Sequence, residues 1–92
     1  MQTTLPITVK IIREKEAADA PYVAYSPELD IASAGSTELE ARKNLREAVN
    51  LVFEGAKEDG NLQEFLEEIG FSKEKGRFKA PKITTEKVSL PS

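Results

Sequence analysis

A helix-start signal in the middle of the chain constrains its fold more than any other feature of the sequence. Thr37 and Glu40 have the spacing of a capping box, in which the threonine oxygen accepts from the Glu40 amide and the glutamate reaches back to the Thr37 amide. The apolar residues that follow recur every three or four positions: Ala41, Leu45, Ala48, Val49, Val52 and Ala56. They form one apolar stripe, and we expect this long helix to lie on a sheet.

Three segments before the helix have the residue pattern of β-strands. Their ranges are 5–13, 22–25 and 31–34. The first places Ile7, Val9 and Ile11 on one face at period two, and the others are rich in aromatic, β-branched or small residues. A charged loop that ends at Pro21 and a turn at Pro27 separate the segments. We predict three antiparallel strands, with the helix packed on them.

The last third of the chain predicts a short helix, a connection and a strand. The helix spans 61–70, with an asparagine cap at its start and a glycine at its end. Residues 72–81 are polar and basic and are interpreted as a connection. Residues 82–90 are threonine-rich and predict a strand in which Ile83 and Val88 are out of phase. A bulge, or pairing with another chain, would account for this change of phase. The predicted class is α+β, with a three-stranded antiparallel sheet, one long helix, a short second helix and a C-terminal strand.

The composition excludes most kinds of catalytic site. The 92-residue chain contains no cysteine and no histidine, so it cannot form a disulfide, a thiolate zinc site or a histidine-based catalytic triad. No run of apolar residues is long enough for a membrane span. We predict one cytoplasmic domain over 1–92, with its core in 5–59, that is not an enzyme and uses no metal or cofactor.

Charge is unevenly distributed along the chain, although the formal net charge is only −3. Residues 14–33 contain five acids and one lysine, and several aromatic or apolar residues lie beside the acids. Aromatic anchors surrounded by charge are typical of protein interfaces, which predicts a partner-binding surface. The predicted residues are Tyr22, Tyr25, Pro27, Glu28, Leu29 and Asp30. The same tyrosines and leucine are compatible with a core position, and the acids with a solvated loop.

The basic segment 71–87 suggests a different function. It contains six basic and two acidic residues, with Phe71 and Phe78 between them, a composition that can contact phosphates and stack a base. The other interpretation is that this segment contacts the acidic helix end of the same chain or of a second subunit. Salt dependence separates the two, because phosphate contacts weaken steeply as counterions compete.

Five short motifs, in order, resemble the HicB-like antitoxin family. They are Tyr-Val-Ala-Tyr at 22–25, Pro-Glu-Leu at 27–29, Gly-Ser-Thr at 35–37, Glu-Ala at 40–41 and Asn-Leu-Arg-Glu-Ala at 44–48. The resemblance covers residues 5–59 and implies a partial RNase H-like fold. It also implies a partner, a small basic HicA-type toxin that cleaves mRNA and whose RNA surface and catalytic histidine the antitoxin covers.

The resemblance also shapes what we expect of DNA binding and of catalysis. Longer members of the family append a helix-turn-helix or ribbon-helix-helix domain, and the segment after residue 60 has room for neither, so we expect no operator DNA binding by this chain alone. An RNase H-like enzyme needs clustered carboxylates that hold two magnesium ions. The strands predicted at 5–13 and 22–25 carry no carboxylates, so the family fold does not bring a catalytic site with it.

Self-association is a further expectation, because a chain this short buries only about 60% of the surface that its unfolded form exposes. The predicted C-terminal strand is our candidate for subunit pairing, through Ile83, Thr85, Val88 and Leu90. Leu51 and Phe53 lie off the centre of the helix stripe. They predict a second apolar contact of the helix, either with a later element or with another subunit. A structural adaptor of the same fold is the remaining functional alternative.

Overall fold

The computed structural model describes residues 4–91, and its elements follow the predicted order through the second helix. These are β1 (Lys10–Arg13), β2 (Tyr22–Ser26), β3 (Ile31–Gly35), α1 (Glu38–Glu58), α2 (Leu62–Glu68), β4 (Ser72–Glu74) and β5 (Arg77–Lys79). The first three strands form an antiparallel sheet in the order β1-β2-β3, and β4 pairs with β5 in a separate antiparallel hairpin. The α+β class, with a three-stranded sheet, one long helix and a short second helix, is confirmed.

The first strand is shorter than predicted. β1 pairs with β2 only over Lys10–Arg13, whereas the sequence pattern extends over 5–13. Pro6 has no N–H to donate, and the Thr8 N–H donates to Oε2 of Glu28 at 2.7 Å instead of to a strand. The backbone before β1 is therefore held by a side chain and not by the strand ladder.

Helix α1 begins at the predicted cap, with one change in the partners. Oγ1 of Thr37 accepts from the N–H of Glu40 at 3.0 Å, as predicted. The Glu40 carboxylate does not accept from the Thr37 N–H as predicted. It accepts instead from the backbone N–H of Ser36 at 3.0 Å and from the Ser36 hydroxyl at 3.2 Å. The helix ends before Gly60, whose φ of 75° is the left-handed conformation that closes many helices.

The core lies between α1 and the sheet and is built from small side chains. Its buried members are Ala24, Ala41, Leu45 and Val49. Partly buried residues surround them: Ile7, Tyr22, Leu29, Ile31 and Phe53. Alanines on both sides let the helix approach the sheet closely, and at the end of β3 the contact is tighter still. Gly35 is buried there, and a Cβ atom in its place would meet backbone atoms of Glu40 and Ala41.

Helix α2 is attached to α1 through an aromatic pair. The rings of Phe53 and Phe65 lie 6.1 Å apart between centroids, at an interplanar angle of 71°, which is an edge-to-face contact. The second contact predicted for Phe53 is therefore with a later element of the same chain. Leu51, predicted together with it, is 68% exposed within the described chain.

The end of α2 follows the prediction. Gly70 adopts a φ of 106°, and the next residue, Phe71, folds back so that its N–H donates to the Leu66 carbonyl at 2.9 Å. Leu66 and Phe71 are each only 2% exposed. This is a Schellman-type helix end with its usual hydrophobic contact. Phe71 is thus a core residue and is not accessible for stacking on a base.

One prediction for the last third of the chain is wrong, and a second is not met within a single chain. Residues 72–79 form a β-hairpin instead of a connection, because Lys75 and Gly76, with φ of 50° and 78°, make the two-residue type I′ turn that joins antiparallel strands. Lys-Gly signals this turn less clearly than Asn-Gly or Asp-Gly does. Residues 82–90 form no strand in the described chain. A strand requires a neighbour for its backbone hydrogen bonds, and no strand among residues 4–91 pairs with this segment.

Candidate partner-binding surface

One face of the three-stranded sheet carries α1, and the opposite face is largely apolar, with one lysine. Cross-strand partners share a face, and the register pairs Lys10 with Tyr25, Ile12 with Val23, Tyr25 with Ala32 and Val23 with Ala34. We call these six residues the open face: Lys10, Ile12, Val23, Tyr25, Ala32 and Ala34. Ile12 is 45% exposed, and Val23 and Tyr25 are half-buried. Among residues 4–91, α2 makes its main contacts with α1 and β4, not with this face.

Tyr25 is held in place on the open face by Asp30. Its hydroxyl donates to Oδ1 of Asp30 at 2.7 Å. Asp30 has a φ of 54°, a left-handed conformation that aspartate tolerates better than most residues, and this conformation closes the turn between β2 and β3. The turn therefore places an aromatic ring and a carboxylate side by side at one end of the sheet.

This hydrogen bond predicts a measurable change in acidity. The bond to Asp30, followed by partial desolvation and the Asp30 charge, raises the pKa of Tyr25 above its ordinary value of 10.0, because each favours the protonated phenol. Any stabilisation that results is complete below about pH 10 and is lost as the pH rises through the raised pKa. We expect Asp30→Ala to return the pKa of Tyr25 towards its ordinary value. Absorbance titration of tyrosinate tests this.

A Tyr25→Phe variant serves as the control for the titration, since it identifies which of the two phenols in the chain gives the shifted curve. Asp30→Ala should change the curve of the parent protein and leave that of the Tyr25→Phe background unaltered. Identical curves for the parent and Asp30→Ala would show that the Tyr25 to Asp30 hydrogen bond does not persist in solution.

Acidic residues lie at both ends of the open face. The β1–β2 loop contains Glu14, Glu16 and Asp19 with one lysine, a net charge of −2, and the β2–β3 turn contains Glu28 and Asp30, also −2. The two groups are separated by the length of β2, which is about 14 Å for five residues. One continuous acidic segment of sequence thus becomes two acidic ends that flank an apolar strip. An arrangement of this kind favours a partner with an apolar patch between basic residues.

The structure separates the six residues predicted to bind a partner. Tyr25, Pro27 and Asp30 lie together at the end of the open face, half-buried or exposed. Tyr22 and Leu29 pack against the core on the α1 side. The guanidinium of Arg13 lies over the Tyr22 ring, 5.7 Å from its centroid, so this tyrosine faces away from Tyr25.

Glu28, the sixth predicted residue, makes a structural contact with a distant part of the same chain. Its Oε2 accepts the Thr8 N–H, as described above, and its Oε1 is buried with no hydrogen-bond partner among residues 4–91. Ser26 Oγ is the other buried side-chain oxygen without such a partner in the described chain. Glu28 therefore fixes the segment before β1 against the turn, and its charge contributes to the acidic end of the sheet.

The remaining residues of the open face were not among those predicted. Lys10, Ile12, Val23, Ala32 and Ala34 belong to three different strands. Only the cross-strand register brings them together, and the register follows from the length of the two connections rather than from any single strand. The period-two pattern of each strand was the available signal, but it does not state which face the helix covers.

The basic residues of the hairpin surround a second surface feature. Strands β4 and β5 and their turn line a shallow groove of about 600 Å³, formed by Glu74, Lys75, Arg77, Phe78 and Lys79. Lys73 is partly engaged, since its ammonium donates to Oε1 of Gln63 at 3.3 Å and lies 5.8 Å from the Phe78 ring centroid. The hairpin is thereby fixed to α2, and the cations at its tip are exposed.

The residues predicted to mediate subunit pairing are all accessible. Ile83, Val88 and Leu90 are 57%, 82% and 86% exposed, and Thr85 is exposed as well. No group of three or more carboxylates within residues 4–91 is arranged to hold a metal ion. The helices in the described part of the chain lack the combination of length and hydrophobicity needed to cross a membrane.

No family model matches the chain. No curated protein and no solved structure matches it significantly.

Proposed function

We propose that this chain is a non-catalytic HicB-like antitoxin that binds a small basic HicA-type toxin and blocks its access to mRNA. The observation that carries the proposal is the open face, a largely apolar strip with Tyr25 near one end and net negative charge in the loops at both ends. A basic ribonuclease presents the complementary surface, because it must itself attract RNA phosphates. The motif resemblance over residues 5–59 supports the same function.

Inhibition in this proposal is steric. The open face supplies an aromatic ring and small apolar side chains, and these residues perform no chemistry on RNA. The acidic ends steer the basic toxin and fix its orientation, while the apolar strip excludes water and slows dissociation. Tyr25 is the expected anchor, since Asp30 already restricts its orientation and less entropy is lost when a partner binds.

Coexpression with a HicA-type toxin tests the proposal. The toxin gene should be one that neighbours the gene of this chain, and the measurements are growth rescue and copurification. We expect the parent chain to restore growth and Tyr25→Arg to lose most of this effect, because arginine adds a like charge within the contact with a basic partner. A dissociation constant at least tenfold weaker corresponds to about 1.4 kcal/mol.

Leu51→Arg is the matched control for Tyr25→Arg. It introduces the same charge at an apolar position that is 68% exposed on α1, away from the open face. Circular dichroism should show both variants folded. The antitoxin proposal fails if the parent chain neither rescues growth nor copurifies, and the open face is the wrong surface if both arginine variants behave alike.

A nucleic-acid-binding module is the second candidate, and the hairpin groove is the observation that favours it. Lys75, Arg77 and Lys79 surround this groove, and Phe78 is half-buried there. Phosphate contacts of these cations would make binding strongly salt-dependent. If the isolated chain retains labelled RNA or operator DNA at low salt, this candidate gains support; if it retains neither, the candidate is removed.

A further inference from the structure

The segment after Pro81 lies outside the folded body. Pro81 is half-buried, and its ring lies 3.5 Å from the position that a Cβ atom would take at Gly70, whereas residues 82–91 are all exposed. The radius of gyration is 15.7 Å, against about 12 Å for a compact domain of this length. We call residues 82–90 the tail. The tail follows directly after the anchored Pro81 and exposes three large apolar side chains to solvent.

The tail has the composition of a strand that lacks a neighbour. It contains no glycine or proline, and Ile83, Thr84, Thr85 and Val88 are β-branched. In an extended conformation Ile83 lies on one face, whereas Val88 and Leu90 lie on the other. Ile83 and Val88 are therefore out of phase because the strand is apolar on both faces. Such a strand suits a neighbouring strand that is also apolar on both faces.

The outer edge of β1 is apolar on both faces of the sheet. Ile11 pairs with Ala24 and lies on the α1 side of the sheet, and Ile12 pairs with Val23 and lies on the open face. The two isoleucines are 37% and 45% exposed, because β1 has a strand on one side only. Exposed edges of this kind are templates for another strand. Lys10 and Arg13 flank the isoleucines, and the tail carries Lys82 and Lys87 beside Glu86, so the match between tail and edge is apolar and not electrostatic.

The other edge of the sheet is less suitable. Helix α1 packs closely along β3, and Asn44 on that helix donates its side-chain N–H to the Ala34 carbonyl at 2.9 Å. A side chain of the same chain thus already uses a backbone acceptor of β3. For this reason β1 is the edge at which an added strand meets the least competition.

We propose that the tail of one copy adds as a fourth strand to the β1 edge of a second copy, and that the second copy returns its own tail to the first. Reciprocal addition uses each tail and each β1 edge once, so the assembly closes as a symmetric dimer. The pairing supplies backbone partners for the tail and covers Ile11 and Ile12. It uses the edge of the sheet and leaves most of the open face accessible, so the dimer does not depend on the proposed antitoxin function.

Sedimentation equilibrium of the full chain and two variants tests this proposal. We expect the full chain to be a dimer and a chain without residues 82–92 to be a monomer. Thr85→Pro removes a backbone donor in the middle of the tail and should raise the dimer dissociation constant at least tenfold. The tail is exposed and makes no core contact in the single chain, so neither change should alter the circular dichroism of the body. Leu51→Arg, at an exposed site outside the tail, should remain dimeric.

Amide hydrogen exchange then locates the pairing. Amides of β1 and of the tail should each exchange more slowly in the full chain than the same amides do in the Thr85→Pro variant. A full chain that is monomeric at all concentrations, or a truncated chain that stays dimeric, contradicts the proposal. A monomer with a protected tail would mean that the tail folds back on its own chain. A dimer whose β1 amides are unaffected by Thr85→Pro would mean that the tail pairs elsewhere.

Discussion

Replacing Leu45 with alanine is expected to lower the free energy of unfolding by about 3 to 4 kcal/mol. Leu45 is fully buried, and two of its three partners in the buried core cluster are alanines, Ala24 and Ala41, which cannot move to fill a cavity. The cost therefore lies within the range of about 2 to 5 kcal/mol for leucine-to-alanine substitutions in cores. A domain of this length has a total stability of about 5 to 14 kcal/mol, so the loss is a large fraction of it.

Urea denaturation followed by circular dichroism measures this effect, with Leu51→Ala as the control. Leu51 lies on the same helix but is 68% exposed, so its truncation should change the stability by less than about 0.5 kcal/mol. The account of the core would be wrong if the two leucine variants lost similar amounts, because that result would mean that α1 does not lie on the sheet through its Leu45 side.

Replacing Gly35 with alanine is expected to destabilise the fold by about 2 to 3 kcal/mol, as an overpacked core does. A Cβ atom at this position would lie 2.9 Å from the Glu40 carbonyl carbon and 3.0 Å from the Ala41 Cα, and it would come closer still to the Ala41 nitrogen. All of these are backbone atoms of the first turn of α1. They cannot rotate away, so the helix must shift as a whole relative to β3.

Replacing Gly55 with alanine should change the free energy of unfolding in the opposite direction. Gly55 lies within α1, and a Cβ atom there would meet nothing within 4 Å. Alanine is a better helix former than glycine by about 0.5 to 1 kcal/mol, so Gly55→Ala should stabilise the protein by about that amount. Thermal or urea unfolding of both variants is sufficient. Equal effects at Gly35 and Gly55 would contradict the close approach of helix and sheet.

The sheet and the long helix were predictable from the sequence because their signals are local. The Thr37 cap, the stripe through Leu45 and Val49 and the helix stops at Gly60 and Gly70 each depend on residues within a few positions of one another. The limits of β1 were not predictable in the same way. The Thr8 amide donates to Glu28, which is twenty residues away, and no local pattern reports that contact.

The candidate surface was predictable only in part. Tyr25 and Asp30 were identified, but Tyr22, three residues from Tyr25, lies on the opposite face of the same strand and packs in the core. The acids looked like one cluster along the chain, whereas the fold places them at two ends of β2. The hairpin was missed because its strands have three residues each and its Lys-Gly turn is not a strong signal.

The central claim is that this chain acts by covering a partner with the open face. The most direct test is an RNA-cleavage assay in which the purified chain is titrated against a purified HicA-type toxin. Steric inhibition predicts that cleavage falls linearly and reaches zero near one chain per toxin, and that Leu51→Arg behaves as the parent. With the toxin below the dissociation constant of the parent chain, Tyr25→Arg should need at least a tenfold higher concentration for half inhibition. Cleavage that persists with excess parent chain, or equal inhibition by Tyr25→Arg and the parent, would contradict the account.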